Sequence, residues 1–204
     1  MKPMYKWMSI LFMLLTALGV CYAVFSSWTK KASLPVVGPP QHVAANFSFT
    51  NENGNTFTNQ DVAGKVTVVE YFFTSCPGIC RVMNTQLQRV YKVYQNEPQF
   101  AILSHTVDPE TDEPSVLRAY AERIHAYGKN WHFLTGDKEA LYTMARQSYL
   151  LSVEDPPTAI EDDFIHTEYV SLLDRDRRIR GFYNATDSTS VQKLINDIAI
   201  LIKE

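Results

Sequence analysis

The sequence has no excess of positive charge. Lys and Arg total 19 against 22 Asp and Glu, a net charge of −3. A nucleic-acid-binding domain needs a basic footprint, so nucleic acid is not expected as a partner. The N-terminus lacks the arginine-rich amphipathic pattern of an organelle transit peptide. Charge is missing altogether from Trp7 to Trp28, and Ile10 to Phe25 is almost wholly apolar. A membrane-spanning helix needs about 20 such residues, and Trp7 and Trp28 stand where interfacial aromatics stand. No small-x-small site follows the run, so a retained anchor is favoured over a cleaved signal peptide. A lipoprotein signal would place its cysteine at Cys21, but Val20 is bulky where a small residue belongs, and Cys21 reads more simply as a lipid-facing apolar residue. Lys2 and Lys6 before the run nearly balance Lys30 and Lys31 after it, so charge does not set the orientation. Each reading of the run carries the rest of the chain across a membrane, into a compartment that permits disulfides.

With 204 residues and 46% apolar content, the chain can build one domain of ordinary size and an extra segment. The expected division is a membrane anchor over 1–29, a tether over 30–45 rich in Pro and Gly, and a globular domain over 46–204. Phe47 to Thr50 alternates, Asn53-Gly54 signals a hairpin turn, and Asn55 to Thr58 returns. Val66 to Phe73 is apolar except at Thr67 and Glu70, as in a central strand covered on both faces. A helical pattern then opens at Cys76 and runs to about Asn96, with Cys80, Met83, Leu87, Val90, Tyr91 and Tyr94 on one face. Phe100 to Val107 is a strand, Asp112 ahead of Pro114 reads as a helix N-cap, and a helix follows from Glu113 to His125. A short strand from Trp131 to Leu134, a helix from Lys138 to Ser148, a hairpin over 169–183 and a last helix from Ser190 to Ile202 complete an α/β pattern with a mixed sheet. A thiol motif between the first core strand and its helix makes this a thioredoxin-like architecture.

Cysteine is scarce, with three in the chain, and two of them fall in Thr74-Ser75-Cys76-Pro77-Gly78-Ile79-Cys80. On a helix, residues i and i+4 project the same way. The positive end of the helix dipole, with Arg81 beside it, favours the thiolate. The spacing is not the C-x-x-C of dithiol exchangers. From the residues alone three readings stay open: a soft-metal site suited to Cu(I), a disulfide-exchanging pair, or an inert pair of thiols.

Three stretches occur together in order: Tyr71-Phe-Phe-Thr-Ser-Cys76-Pro-Gly-Ile-Cys80, Val107-Asp108-Pro109-Glu110-Thr111-Asp112, and Ile165-His166-Thr167-x-Tyr169 with Leu172-Leu173-Asp174. In these the chain resembles the SCO/SenC family of copper-binding proteins over roughly Phe47 to Leu201. The resemblance implies a thioredoxin-like fold behind an N-terminal transmembrane helix. It implies copper ligation by Cys76, Cys80 and His166, and a role in assembling the dinuclear copper site of cytochrome c oxidase. The donor set suits Cu(I), and Cu(II) tolerates it. Zinc could use the same residues, but three ligands without a fourth fit a transfer site better than a structural one. Arg81 departs from the proline that the family often carries there. Thr167-Glu168 stands where thioredoxins proper carry a cis-proline.

The expected protein is therefore a membrane-tethered copper metallochaperone on the outer face of a bacterial cytoplasmic membrane. Its partners would be the copper-site subunit of the oxidase, a copper donor or thiol reductant upstream, and lipid around its anchor. The alternative is a thiol:disulfide oxidoreductase that keeps the oxidase cysteines reduced, with Cys76 and Cys80 as the redox pair. A peroxiredoxin-like peroxidase is weaker, since no Arg or Thr pattern for peroxide surrounds Cys76. Among other candidates, Glu70 is either a buried carboxylate with a raised pKa or a residue at a wet edge. His105 is expected to be packed inside its strand, while His125 and His132 are expected at the surface. His42, in the tether, is a minor candidate for handing over metal. The acidic loop Glu154 to Asp163 is a solvated stretch that could alternatively gate His166 or dock a basic partner. The methionines sit in the anchor or on helix faces and form no copper-binding box.

Overall fold

The computed structural model describes residues 2–28, 33–126, 128–151, 165 and 167–204. It divides into two compact units, 1–33 and 34–204. The first holds helix α1 (Lys2–Trp28), 27 residues long. The side chains described in it lie at residue 5 and over 7–22, and all of them are exposed. Among the described residues no helix is long and apolar enough to cross a membrane; the side chains at the two ends of α1 lie outside that description.

The second unit is built on one seven-stranded sheet in the order β2-β1-β5-β4-β3-β6-β7. Its strands are β1 (Ser48–Asn51), β2 (Thr56–Thr58), β3 (Val66–Phe72), β4 (Phe100–Thr106), β5 (Trp131–Thr135), β6 (Tyr169–Leu173) and β7 (Ile179–Asn184). Strands β3, β4 and β5 run parallel, while β1 pairs antiparallel with β5, β6 with β3, and β7 with β6. Every residue of β3 and β4 is buried, as expected of strands covered on both faces. The β1–β2 turn closes on Gly54 at φ +75°, a backbone conformation that glycine adopts without penalty, and Asn51 Oδ1 accepts the amides of Asn53 and Asn55.

Helices α2 (Ile79–Tyr94), α3 (Pro114–Arg123) and α5 (Ser188–Lys203) cover one face. They bury Met83, Leu87, Val90, Leu117, Leu194 and Ile198 against Val68, Phe72, Ile102 and Phe133. The other face takes α4 (Lys138–Thr143), which passes into a π-helical turn, Met144–Ser148, within the helix expected there. This is the thioredoxin-like arrangement of a mixed sheet flanked by helices.

Residues 34–45 contain no helix or strand, as their composition indicates, but they are fastened to the domain. Val37 N–H donates to the Ile179 carbonyl and Ala44 N–H to the Arg177 carbonyl, and Ala44 is buried with Phe49, Val69 and Leu141. His42 Nε2 donates to the Ser148 carbonyl at 2.8 Å, so this histidine holds the segment down. His105 is fully buried among Phe47, Phe49, Tyr71 and Tyr149, and burial pushes its pKa down to about 3. His132 is not the surface residue expected: it is half-buried against Phe57, with ring centroids 4.5 Å apart.

Candidate functional site

The two cysteines meet, but not as two residues of one helical turn. Pro77 and Gly78 delay the helix, which begins at Ile79 with Gly78 as its N-cap. Cys76 therefore sits on the loop leaving β3, its amide donating to the Phe73 carbonyl at 3.3 Å. Cys80, in the first turn of α2, is 5% exposed and Cys76 is half-buried; both are free thiols.

The local bonds separate their proton affinities. Burial pushes the Cys76 thiol up, but hydrogen bonds from the Cys80 thiol and from the Cys80 and Gly78 amides outweigh it, and the net pKa is lowered. Cys80 goes the other way, to about 12, through burial first and then the proton it shares with Cys76, with Glu70 adding to the rise. Cys76 is thus the thiol that ionises first, and Cys80 holds the remaining proton. The expected help from Arg81 is not seen, since it is absent from the groups acting on either sulfur.

Glu70 is the buried carboxylate of the two readings offered by its strand. It is fully buried on β3, and burial raises its pKa to about 8, although the hydrogen bond from Ser104 works against this. One oxygen accepts from Ser104 Oγ, which in turn accepts from Trp131 Nε1 at 2.7 Å. The other oxygen has no partner. At pH 7 the group is predominantly a neutral acid.

Asp112 does not cap α3; Glu113 holds that position and makes no side-chain cap bond. Asp112 is instead fully buried and turned toward the cysteine loop. It accepts the Thr74 amide at 3.1 Å, the Thr74 hydroxyl, and the Thr106 hydroxyl at 2.6 Å. One carboxylate thereby ties the end of β4 to the residues just before Cys76.

Asn84 went unnoticed in the sequence. It lies one turn beyond Cys80 on the buried face of α2, where Nδ2 donates to the Tyr120 hydroxyl at 2.9 Å. The only signal for it was a polar residue inside an apolar stripe. Thr74, Cys76, Arg81, Asn84, Thr85, Gln88, Tyr120, Arg123 and Ile124 line a cavity of about 430 Å³ beside the cysteines.

His166 lies outside the described residues, as does the acidic loop over 154–163. The chain on either side is placed: Ile165 is buried, and the Thr167 hydroxyl accepts the Tyr169 amide. Strand β6 is antiparallel to β3 with Val69 opposite Ser171, so it begins at the end of the sheet where β3 gives way to the cysteine loop. Among the described residues no group of three His, Cys, Asp or Glu side chains could hold a metal ion. Two free thiols that act on each other's proton affinity are, however, a donor pair suited to a soft ion.

Comparison with known proteins came to one result. The SCO1/SenC family model matches residues 37–203. The SCO1 protein homolog of Bacillus subtilis is 29% identical over 154 residues, covering 74% of this chain and 79% of that protein. The structure of BsSco, described as a member of the Sco family of cytochrome c oxidase assembly proteins with a disulfide switch, superposes with a TM-score of 0.67. It is 27% identical, covering 81% of this chain and 96% of that one. Bradyrhizobium japonicum ScoI, solved with copper bound, shares the fold at a TM-score of 0.59 and 23% identity, over 76% of this chain and 98% of that one.

Proposed function

The chain belongs to the SCO1/SenC family, and from that premise we propose that it is a membrane-anchored copper metallochaperone serving the dinuclear copper site of cytochrome c oxidase. Cys76 and Cys80 take copper as thiolates and His166 completes the site as an imidazole ligand. The observation that carries this reading is the placement of two free thiols, Cys76 on the loop leaving β3 and Cys80 in the first turn of α2, close enough to shift each other's proton affinity, at the end of the sheet where β6 begins. Copper is the cargo. It enters when the second thiol proton leaves, and it departs by exchange with incoming thiolates of the oxidase subunit. α1 supports the anchor through its 27 helical residues and its uncharged stretch from Trp7 to Trp28. The domain stands on the outer face of a bacterial cytoplasmic membrane.

Anaerobic Cu(I) titration of the full chain in detergent against a competing chelator tests this, with His166→Ala alongside. One tightly bound Cu(I), weakened at least ~10-fold (~1.4 kcal/mol) in the variant, is expected. Binding that ignores His166 sinks the three-ligand site.

The thiol:disulfide oxidoreductase remains a second reading because the two thiols differ: the half-buried Cys76 has a lowered pKa and the buried Cys80 a raised pKa, the division of an attacking and a resolving cysteine. It predicts that His166→Ala leaves the rate of exchange with a test disulfide intact.

A further inference from the structure

The cavity beside Cys76 has features that copper binding by two thiolates and an imidazole does not use. Its walls are the loop at Thr74 and Cys76, the outer part of α2, and the last turn of α3 with Ile124. Two guanidinium groups, Arg81 and Arg123, belong to its lining. Both residues are exposed, and among the described residues neither makes an ion pair. The Arg123 guanidinium stacks over the Tyr120 ring, 4.9 Å from its centroid, which leaves its hydrogen-bonding edge available. Asn84, 2% exposed, belongs to the same lining. Its amide nitrogen is engaged by the Tyr120 hydroxyl, but its carbonyl oxygen Oδ1 is buried without a partner. A buried acceptor left unpaired is costly, and this one belongs to a residue of the cavity lining.

The inventory is thus two planar cations, one unsatisfied acceptor and one reachable sulfur, around a volume of about 430 Å³. Carboxylates match guanidinium forks, an N–H donor matches Asn84 Oδ1, and a thiol matches Cys76. That volume falls in the range of small-molecule sites, roughly 300–1,000 Å³. We propose that this cavity seats a small peptide thiol, a molecule carrying a thiol, at least one carboxylate and an amide or ammonium N–H, which reduces the Cys76–Cys80 disulfide and so readies the pair for copper. The proposal rests on the reading that these two cysteines must be reduced before they load.

The chemistry balances with two such molecules. The thiolate of the first attacks Cys76 Sγ; a mixed disulfide forms, the Cys76–Cys80 bond breaks, and Cys80 leaves as a thiolate that takes a proton from water. The thiolate of the second attacks the sulfur of the bound molecule. A small-molecule disulfide departs and Cys76 is released as a thiolate. Two electrons pass from the two thiols to the protein disulfide. Cys80 is too deeply buried to be the sulfur attacked.

The test uses the full chain in detergent, oxidised, with glutathione as the charged peptide thiol and 2-mercaptoethanol as a neutral one. The ratio of their second-order rate constants is compared between the wild type and Arg81→Gln/Arg123→Gln. A fall in that ratio of at least tenfold, with a matching loss of binding of non-reactive S-methylglutathione to the reduced chain, is expected. An unchanged ratio, or wild-type protein that binds no S-methylglutathione, overturns the proposal. Failure of the Cu(I) titration would remove the chaperone reading without touching this ratio, and an unchanged ratio leaves the titration standing, so the two failures are told apart.

Discussion

At the residue scale, the buried acid under the cysteine site makes a pH prediction. The pKa of Glu70 in the folded state, about 8, lies above its ordinary value of 4.5. Between those values the folded protein keeps a proton that the unfolded chain gives up, so stability falls as pH rises from about 4.5 to 8. Glu70→Gln removes that titration. Urea unfolding at pH 5 and pH 8 should show the wild type losing on the order of a few kcal/mol more than the variant across that interval; parallel losses would mean the carboxyl ionises freely in the fold. Asp112→Ala strips one acceptor from three donors, the Thr74 amide and the hydroxyls of Thr74 and Thr106. A cost of ~2–3 kcal/mol is expected in the same assay, together with weaker Cu(I) binding as the loop before Cys76 loosens. Neither residue was fully legible beforehand. Glu70 could be narrowed to two readings because its strand is apolar on both sides. Asp112 was misread because a capping pattern is local, whereas its real partners lie in β4 and beyond β3. Asn84 escaped notice because its partner, Tyr120, is on another helix.

At the element scale, helix α2 shows how far periodicity reaches. Its apolar stripe identified the buried face, since helical spacing reports which side meets the core. It could not show that Pro77-Gly78 would hold Cys76 off the helix. Residues 34–45 looked like a free tether because a segment pinned by scattered long-range bonds has no period of its own. Arg180 is the clearest case. On β7 and 5% exposed, it pairs with Asp174 at 3.0 Å and with Glu204 at 2.8 Å, and it donates to the Leu34 and Pro35 carbonyls. Arg180→Ala removes one of two guanidinium partners of Asp174, which keeps Arg178 at 2.9 Å, and takes a donor from Glu204 and from the Leu34 and Pro35 carbonyls. It should cost about 2–3 kcal/mol and open the chain near Leu34 to protease, read by thermal melting and by limited proteolysis. A melting point within 1–2 °C of the wild type would show the cluster to be ornamental at this temperature.

At the scale of the whole molecule, the chain is a compact unit from Leu34 onward and a separate helical unit before it. Removing 1–33, the proposed anchor, should move the protein from the membrane fraction to the aqueous one while its unfolding midpoint in urea stays within experimental error. Retention in the membrane fraction would point to a second contact surface on the domain. Three short motifs, in the right order though far apart in sequence, were enough to indicate family and architecture, because the sheet that joins them depends on buried strands that are legible one by one. Where β6 begins relative to the two cysteines was never local information: it depends on the antiparallel seam between β3 and β6.

The opposite proton affinities of the two thiols have one further consequence. Once Cys76 has ionised, the pair already carries a single negative charge, because Cys80 keeps its proton. Loading Cu(I) in the proposed site expels that proton as the cation enters, so the exchange is electroneutral. The field around the domain would be the same empty or full. A docking partner could not tell the two states apart by attraction at a distance; it would have to sense them by touch, through the geometry of the loop. Uptake should therefore shift by up to ~10-fold per pH unit yet respond little to ionic strength.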